Sequence, residues 1–298
     1  MYNQQIVSNG TPTGAPVAPI KKQNNTIFTV LLIVGTLIII GLIISIIIVA
    51  IQPEQQPEQP VYDPTLASLG SIDTLQSATT SLCAASEKYS DTNKTYTLKD
   101  SRDNNSYQVR RLDDGNCWMV NNLRLAGGTT ISSADSDVAK DYTLPASNAE
   151  SFQNNDEQNM FDATVKTGAY YNWYAATAGT GNTLMTSGEA SGSICPKGWR
   201  LPKVNKSQNE FETLYQAYGS RASFDAAFLP IYAGRYYDTS LFDQNQIAYY
   251  WSASAYAKGL AYQMTVSSQT SLYPEPSAHY LERAGFSVRC ILSASQHS

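Results

Sequence analysis

IFTVLLIVGTLIIIGLIISIIIVAI, residues 27–51, is an apolar run that carries no charge. As a helix of 25 residues it would reach roughly 37 Å, enough to cross a hydrocarbon layer of about 30 Å with some tilt. A helix in a soluble core keeps polar residues on one face, and this run is apolar all round. The flanks give its direction. Lys21 and Lys22 precede it, and Glu54 and Glu58 are the first charges after it. Positive charge stays on the cytoplasmic side, so residues 1–26 are expected inside and residues 52–298 outside. A cleaved leader would have a shorter core and a small residue at its end; here the run closes on Ala50-Ile51. Gly41 and Ser45 form a small-residue pair of the kind that can seat a second helix, but they are read as incidental to a lipid-facing helix.

Working outward, residues 1–26 are polar and rich in Gly, Pro, Asn and Gln, the composition of a disordered cytoplasmic tail. On the other side QPEQQPEQPVYDP, residues 52–64, is dense in proline and like charge, which predicts an extended spacer. Spacer and lead-in are placed at residues 52–78, with Leu66, Leu69, Ile72 and Leu75 at helical spacing over residues 65–81. Residues 79–293 form the outer domain and residues 294–298 a short tail.

Two of the 20 basic and none of the 25 acidic residues lie in the first 51, so the remainder carries 18 against 25, a net of −7. That balance argues against nucleic acid as a partner. Cys83, Cys117, Cys195 and Cys290 all fall on the expected outer side, where an even count implies two disulfides. Four cysteines allow three pairings and the sequence does not choose among them; the pairing expected is Cys83–Cys117 with Cys195–Cys290. Zinc is a poor fit, with no C-x-x-C and only His279 and His297.

From residue 95 the pattern turns to strands. YTLK (96–99) and YQVRRL (107–112) predict a hairpin, DDGN (113–116) a tight turn, and CWMV (117–120) a third strand. Residues 125–165 read as loop. Ser207 and Glu210 have capping-box spacing; Phe211, Leu214, Tyr215 and Tyr218 follow on one helical face, and Gly219 stops the helix. After Pro230 the strand-like stretches are 231–236, 247–252, 260–266 and 286–292. The class is α+β, with short strands, one or two helices and long loops, and no βαβ alternation.

The catalytic inventory is thin. Two histidines leave a nucleophilic site almost without a base, and Gly179-Thr-Gly181 lacks the context of a phosphate loop. No catalytic residue and no cofactor are expected; a structural calcium ion held by loop carboxylates, as near Asp100 and Asp103, stays open.

Several motifs occur together: DSRD (100–103), NCWM (116–119), Asn122-Leu123, YYNWYAA (170–176), CPKGWRLP (195–202), YWSAS (250–254), Ala261-Tyr262 and GFSVRC (285–290). Over roughly residues 95–292 they resemble the Fibrobacter succinogenes major paralogous domain family, of the wider C-type-lectin-like kind. The resemblance implies a lectin-like domain behind the membrane helix, and says little about activity. Trp118, Trp173, Trp199 and Trp251 are assigned to the core, and Arg200 and Arg289 to donors that fix loops. Residues 249–291 also resemble the diversified segment of retroelement variable proteins, which implies loops that differ between copies on a fixed framework. The calcium-dependent sugar motif is matched only by Glu275-Pro-Ser277, and the reactive cysteine pair of the formylglycine-generating branch is missing.

Such domains display irregular loops, here residues 235–238, 256–259 and 268–284. These carry Tyr236, Tyr237, Tyr256, Tyr273, Glu275, His279, Tyr280 and Glu282. Tyrosine with small polar residues makes adaptable binding surfaces. The functional expectation is a single-pass cell-surface protein that binds an extracellular protein or glycan, as in adhesion, through Tyr236, Tyr237, Tyr256, Tyr273, Glu275, His279 and Tyr280. The alternatives are an enzyme acting on envelope polysaccharide and a self-assembling structural component. The sequence does not name the oligomeric state.

Overall fold

Alternating side chains and two disulfides shape the domain in the computed structural model, which describes residues 67–145, 160–162, 168–205, 207–238, 240–269 and 275–294. All of them fall in one unit, Pro60–Ser298. The expected tail, membrane span and most of the spacer lie outside the described residues. Among the described residues no helix is long and apolar enough to cross a membrane.

The order begins with two 3-10 turns, Leu69–Ser71 and Leu75–Ser77, then α1 (Thr80–Ala85) and α2 (Tyr89–Thr92). Strands β1 (Tyr96–Lys99), β2 (Ser106–Arg111), β3 (Cys117–Met119), β4 (Thr130–Ile131), β5 (Tyr142–Thr143), β6 (Met160–Asp162) and β7 (Ala169–Tyr171) follow. Next come α3 (Trp173–Ala176), α4 (Glu210–Tyr218) and α5 (Arg221–Phe228). The chain ends with β8 (Arg235–Tyr237), β9 (Ser240–Phe242), β10 (Ile247–Ala257), β11 (Leu260–Ser267), β12 (Glu275–Leu281) and β13 (Ile291–Leu292). This is a mixed α+β fold with antiparallel ladders between its strands.

The predicted hairpin forms in the register Tyr96↔Val109 and Leu98↔Tyr107, with these four side chains buried. The last strand returns to pair with the third, Ile291↔Trp118, giving the sheet order β1-β2-β3-β13. The disulfides are Cys83–Cys117 and Cys195–Cys290. The first ties α1 to β3, and the second ties the CPKGWRLP segment to the chain end.

The second sheet, β10-β11-β12, lies between two apolar clusters. Side chains on a strand alternate between faces. Tyr249, Trp251 and Ala261 enter the larger cluster with Trp173 and Phe286, whereas Ala248, Tyr250, Met264 and Val266 enter the cluster that holds α4 and α5. All four tryptophans are at most 1 % exposed. Each indole N–H is used: Trp118 donates to Asp114 Oδ2, Trp173 to Ser252 O, Trp199 to Leu75 O and Trp251 to Tyr171 O, all at 2.8–2.9 Å. Truncating any one would cost about 3–5 kcal/mol.

Three expectations need correction, and one further helix is found. The lead-in is part of the core, because Leu69 and Leu75 are fully buried, and its helical spacing resolves into separate short turns. Helix α4 is capped by Asn209, whose Oδ1 accepts from Glu212 N at 3.1 Å. Ser207 donates to Asn205 instead, and Glu210, one residue inside the helix, pairs with Arg200 at 2.6 Å. Helix α5 is a second helix that no motif in the sequence marks; Ser220 caps it, and Phe224 and Phe228 pack one turn apart. Residues 275–281 form an edge strand, not a loop, because pairing with β11 satisfies their backbone.

Candidate functional site

The β11–β12 register sets Tyr262 opposite His279 and Ala261 opposite Tyr280. Neighbours on β12 therefore point to opposite sides of the sheet. Glu275, Ser277 and His279 are exposed, while Pro276, Ala278 and Tyr280 are half-buried.

On the outer side the ring of Tyr256 stacks on His279, with centroids 3.7 Å apart and planes 14° apart. Tyr262 meets Tyr256 edge-on at 5.1 Å. Tyr256 is 41 % exposed, a high value for a tyrosine in this domain. Beside the stack, Asn209 at the start of α4 donates from Nδ2 to Ser277 Oγ at 2.7 Å, which fixes the helix to the edge strand. The result is an exposed aromatic ledge on a sheet that is packed on both faces elsewhere.

On the inner side Tyr280 packs against Phe286 at 5.5 Å and meets Tyr237 edge-on at 6.0 Å. Arg235 lies over the Tyr280 and Tyr249 rings at 5.0 and 5.5 Å. Its Nη1 donates to Tyr249 Oη at 3.2 Å. Burial, the largest cause, and the Asp243 carboxylate that accepts from Tyr249 push that phenol up. Arg283 caps Tyr237 through a hydrogen bond of 2.5 Å to its hydroxyl.

The expected binding residues thus divide. Tyr256 and His279 come together on the outer side. Tyr237 and Tyr280 come together on the inner side, half-buried. Glu275 stands exposed at the start of β12. Tyr236 is 2 % exposed and packs with Tyr170 and Ala233, so it is a core residue rather than a surface one. Tyr273 lies outside the described residues. Tyr262, which the sequence places in the framework, belongs to the ledge; only the strand register reveals it.

The motif residues have structural work. Asp100 is fully buried and takes both branches of Arg102, Nε at 2.9 Å and Nη2 at 2.6 Å, together with Gln76 Nε2 at 2.8 Å. That carboxylate is occupied without a cation of the solvent, and among the described residues no group of three or more His, Cys, Asp or Glu is placed to hold a metal ion. Asp114 accepts from Trp118 and from Asn116, while burial pushes its carboxyl up to about 6. Asp137 is likewise raised by burial, to about 6, with Ser193 donating to it.

Comparison with known proteins reaches the middle of the domain. Residues 114–227 match the Fibrobacter succinogenes major domain family. No curated protein and no solved structure matches the chain. The matched stretch of the Fibrobacter succinogenes major domain ends at α5. It contains Trp118, Trp173 and Trp199 and one cysteine of each disulfide, and it stops short of β10 with Trp251, of β11 and β12, and of the aromatic ledge.

Proposed function

We propose that this chain is a membrane-anchored surface protein whose outer domain, lectin-like in fold, recognises an extracellular glycan or protein without covalent chemistry. The ligand docks on the ledge of Tyr256, His279 and Tyr262. The single observation that carries this reading is the exposed stack at 3.7 Å, held on a sheet with buried side chains above and below. Aromatic rings offer large contact area for little side-chain entropy, and a pre-set stack loses less on binding than a loose one. A sugar face or an apolar side chain suits the ring surface, and the Tyr256 hydroxyl supplies a polar tip. Two supports come from elsewhere in the chain. Residues 27–51 have the length and composition of a bilayer anchor, and both disulfides fit an oxidising exterior.

The test is a screen of the full-length protein, in mild detergent, against glycan arrays and surface proteins of neighbouring cells. Tyr256→Ala and His279→Ala are each expected to weaken the hit by about tenfold or more, as hot-spot truncations do. Tyr237→Phe, on the inner side, is expected to leave it unchanged. A hit that survives both ledge substitutions would place the ligand elsewhere.

A further inference from the structure

A pocket of about 470 Å³ opens where the β10–β11 turn meets the end of β12, with Leu184, Lys258, Leu281, Glu282 and Arg283 among its walls. Glu282 is held firmly there. Its N–H donates to Gly259 O at 3.1 Å, and its carbonyl accepts from Trp173 N at 2.8 Å. The Tyr174 hydroxyl donates to Oε2 at 2.8 Å. The residue is 1 % exposed, and Oε1 is buried with no hydrogen-bond partner. A buried carboxylate oxygen left idle costs free energy that natural cores avoid.

The charge is unmatched as well. Burial pushes the Glu282 carboxyl up to about 7, opposed only by the Tyr174 hydroxyl. Neither neighbouring cation offsets it. Arg283 is turned to Tyr237, and Lys258 stands exposed on the rim. What the carboxylate lacks is a donor that carries positive charge. What the rim offers beyond it is positive charge of its own, together with Leu184 and Leu281. A plain cation would meet repulsion at the mouth; a molecule with both signs would not.

We propose that this pocket binds a small zwitterion, an α-amino acid with an apolar side chain, its ammonium on Glu282 Oε1 and its carboxylate toward Lys258. The volume lies within the range of small-molecule sites, about 300–1,000 Å³. Entry needs a side-chain shift, since Oε1 is shielded from solvent. Leu184, 74 % exposed, is a wall with little packing to lose. The proposal stands on Glu282 and is independent of the aromatic ledge.

The experiment is calorimetric titration of the full-length protein with L-leucine, L-leucinamide and 4-methylpentanoate, which remove one charge at a time. L-Leucine is expected to bind saturably. 4-Methylpentanoate, without the ammonium, is expected not to bind at the same concentrations. Glu282→Gln is expected to weaken L-leucine about tenfold or more, the loss of one charge-assisted hydrogen bond, while the protein still unfolds in one cooperative transition. Lys258→Ala should weaken L-leucine and, by lifting the repulsion at the rim, let L-leucinamide bind as well as before or better. In a carboxyl-carbon NMR titration, L-leucine should lower the Glu282 midpoint below its ligand-free value. The proposal is overturned if no L-leucine binding appears by about 10 mM, if Glu282→Gln leaves that binding unchanged, or if 4-methylpentanoate binds as well as L-leucine.

Discussion

Replacing Arg289 by methionine removes a cation that ties the segment before the last strand to the end of α5. The side chain is fully buried. Nε donates to Asn122 Oδ1 at 3.0 Å, Nη1 to Phe228 O at 2.5 Å and Nη2 to Leu229 O at 2.7 Å. The guanidinium lies 4.4 Å from the Phe228 ring centre and 4.7 Å from that of Tyr250. Arg110 serves the two preceding carbonyls, Ala226 O and Ala227 O, each at 2.8 Å. A helix leaves its last carbonyls without partners; here two arginines from distant parts of the chain supply the donors. Methionine fills much of the space and takes the donors away from Asn122 Oδ1, Phe228 O and Leu229 O. Each unserved buried acceptor costs about 1–3 kcal/mol. Part is regained, because Arg289 is desolvated and repelled by Arg110. A net loss of about 3–5 kcal/mol follows when that regain is set against the lost hydrogen bonds from a charged donor. At about 2–4 °C per kcal/mol for a domain of this size, melting should fall by roughly 6–20 °C. Scanning calorimetry of the full-length protein under non-reducing conditions measures it. Arg289→Lys should lose nearly as much, since an ammonium cannot serve the fork. A methionine variant that melts within about 2 °C of the parent would refute the reasoning.

Asn209→Ala should cost about 1 kcal/mol or slightly more, since Asn209 caps α4 and also holds Ser277, whereas Ser207→Ala should stay within about 0.5 kcal/mol; urea unfolding compares them. The raised carboxyls of Glu282, at about 7, and of Asp114 and Asp137, at about 6, bind protons more tightly folded than unfolded. Their contribution is therefore greatest below about pH 4 and fades as pH rises through about 6 to 7. Denaturation at two pH values should find Glu282→Gln more stable than the parent at pH 8 and equal to it at pH 4. Replacing both cysteines of the 195–290 bridge by alanine should cost about 5 kcal/mol, against about 4 for the 83–117 bridge, because the closed segments differ, 95 residues against 34.

Much of the framework is legible in the sequence because it is written locally. Alternation in YTLK and YQVRRL marks the first hairpin, and the spacing of Phe211, Leu214 and Tyr218 marks α4. The features that escape are those made by distant partners. Helix α5 is short and modest in apolar content, and arginines 110 and 289 complete its end. Strand β12 carries Pro276 and has only half-buried residues on its inner face, so its pattern is faint until β11 pairs with it. The ledge joins Tyr256 to His279 across a strand pair, and no spacing rule connects residues 23 apart in this way. Tyr236 and Tyr237 are adjacent in sequence and equal in chemistry; the pleat sends one into the core and leaves the other half-buried. Glu282 looks like any acid of a surface loop, and only the fold closes over it.

A recognition domain that faces the exterior is the central proposal. The direct measurement is protease digestion of intact cells that carry the full chain with a tag after Ser298, with a cytosolic protein as control. The tag is expected to be lost while the control survives. A tag that stays protected until the cells are broken would contradict it.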